Sequence, residues 1–181
     1  TLSGYHWDRP LEWHFAEDTV PDRYDSALVL EIIQRSFDNI TGAFNDCNLP
    51  DRVAATASYR GTASGDICED ADDLNLVGFG RLSGSLLAVT CPWVFDDDTY
   101  AEIDIEIDRG TDWALTDDCD LEYYLESVMT HEVGHAFGLG HVGERRHSQL
   151  TMSTSGPVCD NEESSLGLGD VMGLEDLYAT P

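Results

Sequence analysis

Residues 131–141 read His131-Glu132-Val133-Gly134-His135-Ala136-Phe137-Gly138-Leu139-Gly140-His141, and no other stretch limits the possible folds so sharply. Two histidines four residues apart fall on one face of a helix, one turn from each other, so 131–135 must be helical for the pattern to work. Two imidazoles so placed can share a zinc ion, and Glu132 then lies beside the metal rather than on it, positioned to take a proton from a water. Gly138 allows the left-handed conformation in which helices end, so the chain can turn back and bring His141 in as a third ligand. Three protein ligands leave one coordination position open, which is the mark of a catalytic rather than a structural zinc site. The chain has 6 His. Three of them fall in phase in this one motif, which unrelated surface histidines would not do.

At 181 residues the chain is long enough for one domain, spanning 1–181, with a sizeable core, and its 41% hydrophobic content is that of a globular protein. No apolar run reaches the length of a transmembrane helix. The net charge of −27, with all nine basic residues arginine, predicts a surface that repels nucleic acid and anionic membranes. Such a surface also suits a salty medium, cationic substrates or calcium, or serves only to keep the chain in solution. Neither a signal sequence nor an inhibitory leader is recognisable, so the expectation is a processed form of a longer precursor. The 5 Cys (Cys47, Cys68, Cys91, Cys119 and Cys159) form no C-x-x-C pair, which argues against a cysteine metal cluster and for two disulfides with one thiol left over in a secreted protein.

Hydrophobic periodicity places the elements. Residues 5–16 read as a first strand with Pro10 at an edge or bulge, and 24–40 as an amphipathic helix capped by Asp22 or Asp25 and ended by Gly42. Further strands are expected over 51–60, 74–79, 86–90 and 101–108. In the last of these isoleucines alternate with acids, so a half-buried strand with a solvated acidic face is expected. The main helix is expected from about Asp120 to Phe137, with Asp117, Asp118 and Asp120 at its positive end and Leu121, Tyr124, Leu125 and Val128 preparing its buried face. The acids at 70–73 and 96–98 are candidate oxygen ligands for calcium, although their spacing matches no defined calcium loop.

The eleven-residue motif resembles that of the metzincin metallopeptidases, and the run Gly134–His141 is closest to the matrixin branch, which includes the matrix metalloproteinases. That resemblance implies several further roles. Met152 would form the methionine turn that packs beneath the zinc without coordinating it. Leu86–Thr90 is similar to the edge strand bordering the cleft, with Leu87, Ala88 and Val89 pairing with an extended substrate. Asp170, at the start of a C-terminal helix, would hold the methionine turn, and is otherwise a simple helix cap. Trp113 would sit in a turn. Val89 or Thr90 stands near the place where matrix metalloproteinases carry a histidine for a second zinc, and no histidine lies between His14 and His131. A histidine-based structural zinc is therefore not expected, and a disulfide from Cys91 is the expected brace. His147 is read as a loop residue, since a fourth ligand would close the catalytic position. Two departures from the family pattern, Val142 in place of the usual serine and Ser153-Thr154 in place of Tyr-Pro, imply a differently lined substrate pocket.

Together these readings predict an α/β (α+β) fold: one metzincin-like domain with a twisted, mainly parallel five-stranded mixed sheet, an active-site helix, a methionine turn and a C-terminal helix. The expected function is a monomeric, extracellular zinc endopeptidase acting on protein or peptide substrates. One alternative is a zinc-bound partner-recognition or toxin-like module, against which the intact Glu132 argues. The other is a hydrolase of non-peptide amides, against which the edge strand argues.

Overall fold

Alternation of large side chains builds the first strand, β1 (Leu11–Phe15), in which Leu11, Trp13 and Phe15 are buried and Glu12 is exposed. In this computed structural model, which describes residues 1–143 and 150–179, β1 is shorter than the periodicity predicted. Pro10, which has no N–H to give to a ladder, immediately precedes it. Trp7 joins the core by another route, donating its indole N–H to the Ala136 carbonyl at 2.9 Å.

Helix α1 (Ser26–Thr41) starts at Asp25, whose side chain accepts from the Ala27 and Leu28 N–H groups, and ends at Gly42. Its buried stripe of Val29, Ile32, Ile33, Phe37 and Ile40 faces the sheet. There the Phe37 ring stacks on Trp13 with centroids 4.5 Å apart. Strand β2 (Ala57–Thr62) pairs parallel with β1. The expected start at residue 51 is corrected: Val53 bridges Ala179 and Ala54 donates to the Tyr178 carbonyl, so this stretch packs on the C-terminal segment before the strand begins.

Strand β3 (Leu76–Gly80) lies between β1 and β5 (Tyr100–Asp108), parallel to both. Strand β4 (Ala88–Val94) is antiparallel to β5 and forms the sheet edge, giving the order β2-β1-β3-β5-β4. The fold is therefore the mixed, mainly parallel five-stranded sheet expected. A second, two-stranded sheet pairs β6 (Trp113–Ala114) with β7 (Tyr123–Tyr124), so Trp113 is in a short strand rather than a turn.

Two further expectations are corrected. The acidic face of β5 is not solvated in its first half: Glu102 is 3% exposed and Asp104 1%, while Glu106 and Asp108 are half-buried. The loop before β3 folds over Glu102 and Asp104, and its backbone N–H groups need acceptors. Asp104 accepts from Cys68 and Leu76, both at 2.8 Å, and Glu102 accepts from Asp72 and Asp73. A Cys68–Cys91 disulfide ties the loop to β4. The second correction concerns helix α2, which runs only Leu125–Ala136. The acids at 117–120 precede β7 instead of the helix, a second disulfide fastens Cys119 to Cys159, and Leu121 has φ 69° and is 77% exposed. Glu126 is the acid in the first turn of α2. Cys47 is the free, exposed thiol. Helix α3 (Leu168–Leu177) closes the described chain, and none of the described helices is long and apolar enough to cross a membrane.

Candidate active site

Helix α2 brings His131 and His135 onto one face, and the chain must then reverse to deliver His141. Gly138 makes that reversal with φ 89°, and any side chain there would collide with the Tyr5 carbonyl. The Gly138 N–H bonds to the His135 carbonyl and the Leu139 N–H to Gly134, both at 2.9 Å, which satisfies the last carbonyls of the helix. The N-terminal segment holds the returning loop. Ser3 donates to the Gly138 carbonyl, Gly140 donates to Thr1, and the Thr1 hydroxyl donates to the His141 carbonyl, each at 2.8 Å.

The outcome is a cluster of three imidazoles. His141 Nε2 lies 3.1 Å from His131 Nε2 and 3.0 Å from His135 Nε2. The other ring nitrogens face carbonyl oxygens: His131 Nδ1 is 2.7 Å from Thr151 O, and His135 Nδ1 is 2.8 Å from Leu139 O. A carbonyl can only accept, so each Nδ1 carries the proton and the matching Nε2 presents a bare lone pair. Converging lone pairs repel unless a cation sits among them, and this donor set suits zinc. Burial, with the neighbouring imidazole His135, holds His131 down at about 4, and burial also lowers His135, so both rings stay neutral as ligands must be. Among the described residues this is the one group of three His, Cys, Asp or Glu whose ligand atoms all lie within 4.8 Å of one another. The acids at 70–73 and 96–98 are exposed.

Glu132 is 6% exposed, and burial pushes its carboxyl up to about 7 against the opposing pull of a Thr90 hydrogen bond. The Thr90 hydroxyl lies 2.7 Å from Glu132 Oε2 and 2.9 Å from the Glu132 carbonyl. Thr90 is a residue that motif reading missed as a partner of Glu132. Its signal was only its place in the edge strand, one residue beyond Val89.

Met152 is 1% exposed beneath the helix, and a Cβ at Gly134 would meet its sulfur at 2.5 Å. Glycine at 134 thus lets the thioether approach the helix backbone. The Met152 carbonyl accepts from Val142 at 2.9 Å, and Val142 bridges Ser153, so the loop carrying His141 is stitched to the turn holding Met152. Asp170 is buried at the start of α3 and accepts from the Gly167 N–H at 3.2 Å. His147 lies outside the described residues.

A cleft of about 720 Å³ opens over the imidazoles. Leu87, Ala88, Val89 and Thr90 of the edge strand line one part of it, and Ser153 to Gly156, Tyr123, Val128 and Glu163 line another. The structure therefore brings together His131, Glu132, His135, His141 and the expected edge-strand residues around one cleft. Glu163 was not found from the sequence, because it lies far from the motif in a short acidic run that reads as surface.

Comparison with known proteins agrees with this geometry. A family model described as Matrixin matches residues 84–179. A protein named Metalloendoproteinase 4-MMP from Arabidopsis thaliana is 31% identical over 81 residues, a stretch covering 42% of this chain. The match spans 22% of the length of that relative.

Proposed function

The chain belongs to the matrixin family, whose model matches residues 84–179 of its 181, and from that premise we propose that it is a zinc-dependent endopeptidase. The observation that carries the reading is the convergence of the bare Nε2 atoms of His131 and His135 on His141 Nε2, 3.1 and 3.0 Å away, next to a buried glutamate, in a cleft bordered by a sheet edge. His131, His135 and His141 would hold the metal. When bound, zinc supplies a Lewis acid and lowers the pKa of a water toward ~7.

The chain's own groups perform the remaining steps. The outer edge of β4, around Leu87–Val89, pairs with an extended peptide and lays its scissile bond across the cleft. Glu132 takes a proton from the attacking water and passes it to the leaving amine, a transfer suited to a carboxyl whose pKa burial has raised toward neutrality. The Thr90 hydroxyl, bonded to Glu132 Oε2, fixes that carboxylate in one orientation. Backbone N–H groups near Ala88 donate to the peptide oxygen as negative charge develops there. Met152 packs under the ligand helix, and Asp170 and Gly138 shape the segments around it. Two disulfides support a site of action in an oxidising, extracellular setting.

The test is digestion of a peptide library with and without a zinc chelator, read by mass spectrometry. Chelator-sensitive internal cleavage is expected. A zinc-loaded protein that binds peptides but cleaves none would overturn the enzymatic reading in favour of a recognition module.

A further inference from the structure

Glu163 is the one acidic side chain lining the cleft that the chemistry above does not use. It is 8% exposed, and its Oε1 is buried with no hydrogen-bond partner. Among the described residues its Oε2 has a single long contact, 3.5 Å from the Ser127 hydroxyl. Buried carboxylates are ordinarily compensated by several donors or a counter-charge, so one left half-satisfied in a cleft wall calls for a role. No Arg or Lys is among the described residues lining the cleft, and Arg145 and Arg146 lie outside the described residues.

We propose that Glu163 is a specificity-determining residue, whose carboxylate selects substrates bearing arginine or lysine at one fixed position beside the scissile bond. The inference rests on the peptidase reading above.

Three features support it. The first is reach. Ser127, which contacts Glu163, is four residues before His131 on the same helix, a rise of ~6 Å. A long side chain entering beside the helix can cover that distance, whereas a short one cannot. The second is shape. A Cβ at Gly156 would meet Glu163 Oε2 at 2.7 Å, so only glycine lets the chain after Met152 pass so close to the carboxylate. Val128 and Tyr123, which line the same cleft, suit the methylene stem of a basic side chain. The third is charge. Burial, with the nearby negative charge of Asp160, pushes Glu163 up to about 7. A guanidinium or ammonium group would supply the missing counter-charge and donate charge-assisted hydrogen bonds to the carboxylate. An acidic substrate side chain would meet repulsion at the same place, which sharpens selection.

The experiment uses the zinc-loaded protein and two kinds of substrate. Library digestion should show arginine or lysine enriched at one position within a few residues of the cleaved bond. Replacing that arginine by citrulline, which keeps the shape and removes the charge, should lower kcat/KM about 10- to 100-fold, chiefly through KM. In Glu163→Gln the arginine-to-citrulline ratio should fall to near one, and Glu163→Leu should favour apolar side chains. The citrulline comparison in the parent protein decides the matter even if the variants fold poorly. Cleavage with no basic preference, or a preference that survives Glu163→Gln, would overturn this inference and leave the peptidase reading standing. Absence of all cleavage would overturn both.

Discussion

In the cleft, His131 and His135 turn their Nδ1 atoms to backbone carbonyls, and the Nε2 atoms of both crowd against that of His141. On β5, Glu102 and Asp104 are buried more deeply than the partly exposed imidazoles, and backbone N–H groups of the loop before β3 come to meet them. The first cluster directs its ring nitrogens toward one another, an arrangement that suits ligands of a shared cation. The second is completed by the chain itself. Burial of ionisable groups therefore has two meanings in this molecule, and what separates them is where the complementary charge or dipole comes from.

The largest effect expected concerns the cleft. Glu132→Ala should retain zinc and a parent-like melting temperature while losing ~10²–10⁴-fold in kcat/KM, the usual contribution of a positioned general base. Parent-level cleavage by that variant would break the functional side of the comparison.

Next comes the acid cluster. Asp104→Ala leaves the Cys68 and Leu76 N–H groups without acceptors, and the cost should be about 2–4 kcal/mol of unfolding free energy in denaturant titrations. Zinc content should be unchanged. Loss of zinc without loss of stability would mean that the two regions are not independent.

A smaller, directional effect separates the regions by pH. Burial holds Asp104 up at about 6, against ~3.9 for a free carboxyl. Between these values the folded chain keeps a proton that the unfolded chain has lost. Its contribution is therefore complete below pH ~3.9 and is lost as pH rises through about 6. Denaturation of parent and Asp104→Ala at several pH values should thus show a larger cost of the substitution at pH 4 than at pH 7. Zinc should respond in the opposite sense, leaving as pH falls toward about 4, where protons compete for the buried His131. A dye-based zinc release assay over the same range checks this.

The smallest effect is shared by the whole surface. Screening of the −27 net charge by moderate sodium chloride should raise the melting temperature by a few degrees, about the size of a ~1 kcal/mol change. Calcium at fixed ionic strength distinguishes a bound ion from screening. A melting temperature flat in both salts would leave the acids as inert surface.

The cleft could be read from sequence because its chemistry depends on local spacing. The phase of His131, Glu132 and His135, and the turn at Gly138, are set within eleven residues. The strands were found for a similar reason, and their ends were missed where a distant partner decides. Val53 and Ala55 alternate like a strand, yet Val53 bridges Ala179 and Ala54 bonds to Tyr178 of the C-terminal segment. The β5 acids could not be read, because Ile-Asp-Ile-Glu alternation looks the same whether water or a returning loop covers the polar face. The start of α2 was misplaced because acids at 117–120 suit a helix dipole, whereas the β6–β7 pairing and the Cys119–Cys159 bridge claim that stretch. Glu163 gave no local signal at all, since only the fold brings it beside Ser127.

The strap formed by the first residues has a consequence for how the metal centre comes into being. Thr1 and His141 are 140 positions apart in the chain, yet their loops are bonded to each other, and Trp7 reaches across to Ala136. His131 and His135 can approach one another as soon as α2 forms, whereas the His141 loop is held both by its neighbour at Met152 and by bonds to Thr1 of very long range. Such contacts carry the greatest loop-closure entropy and form late. In stopped-flow refolding, tight zinc uptake should lag behind the appearance of helical signal, making the ion a reporter of the final topological closure.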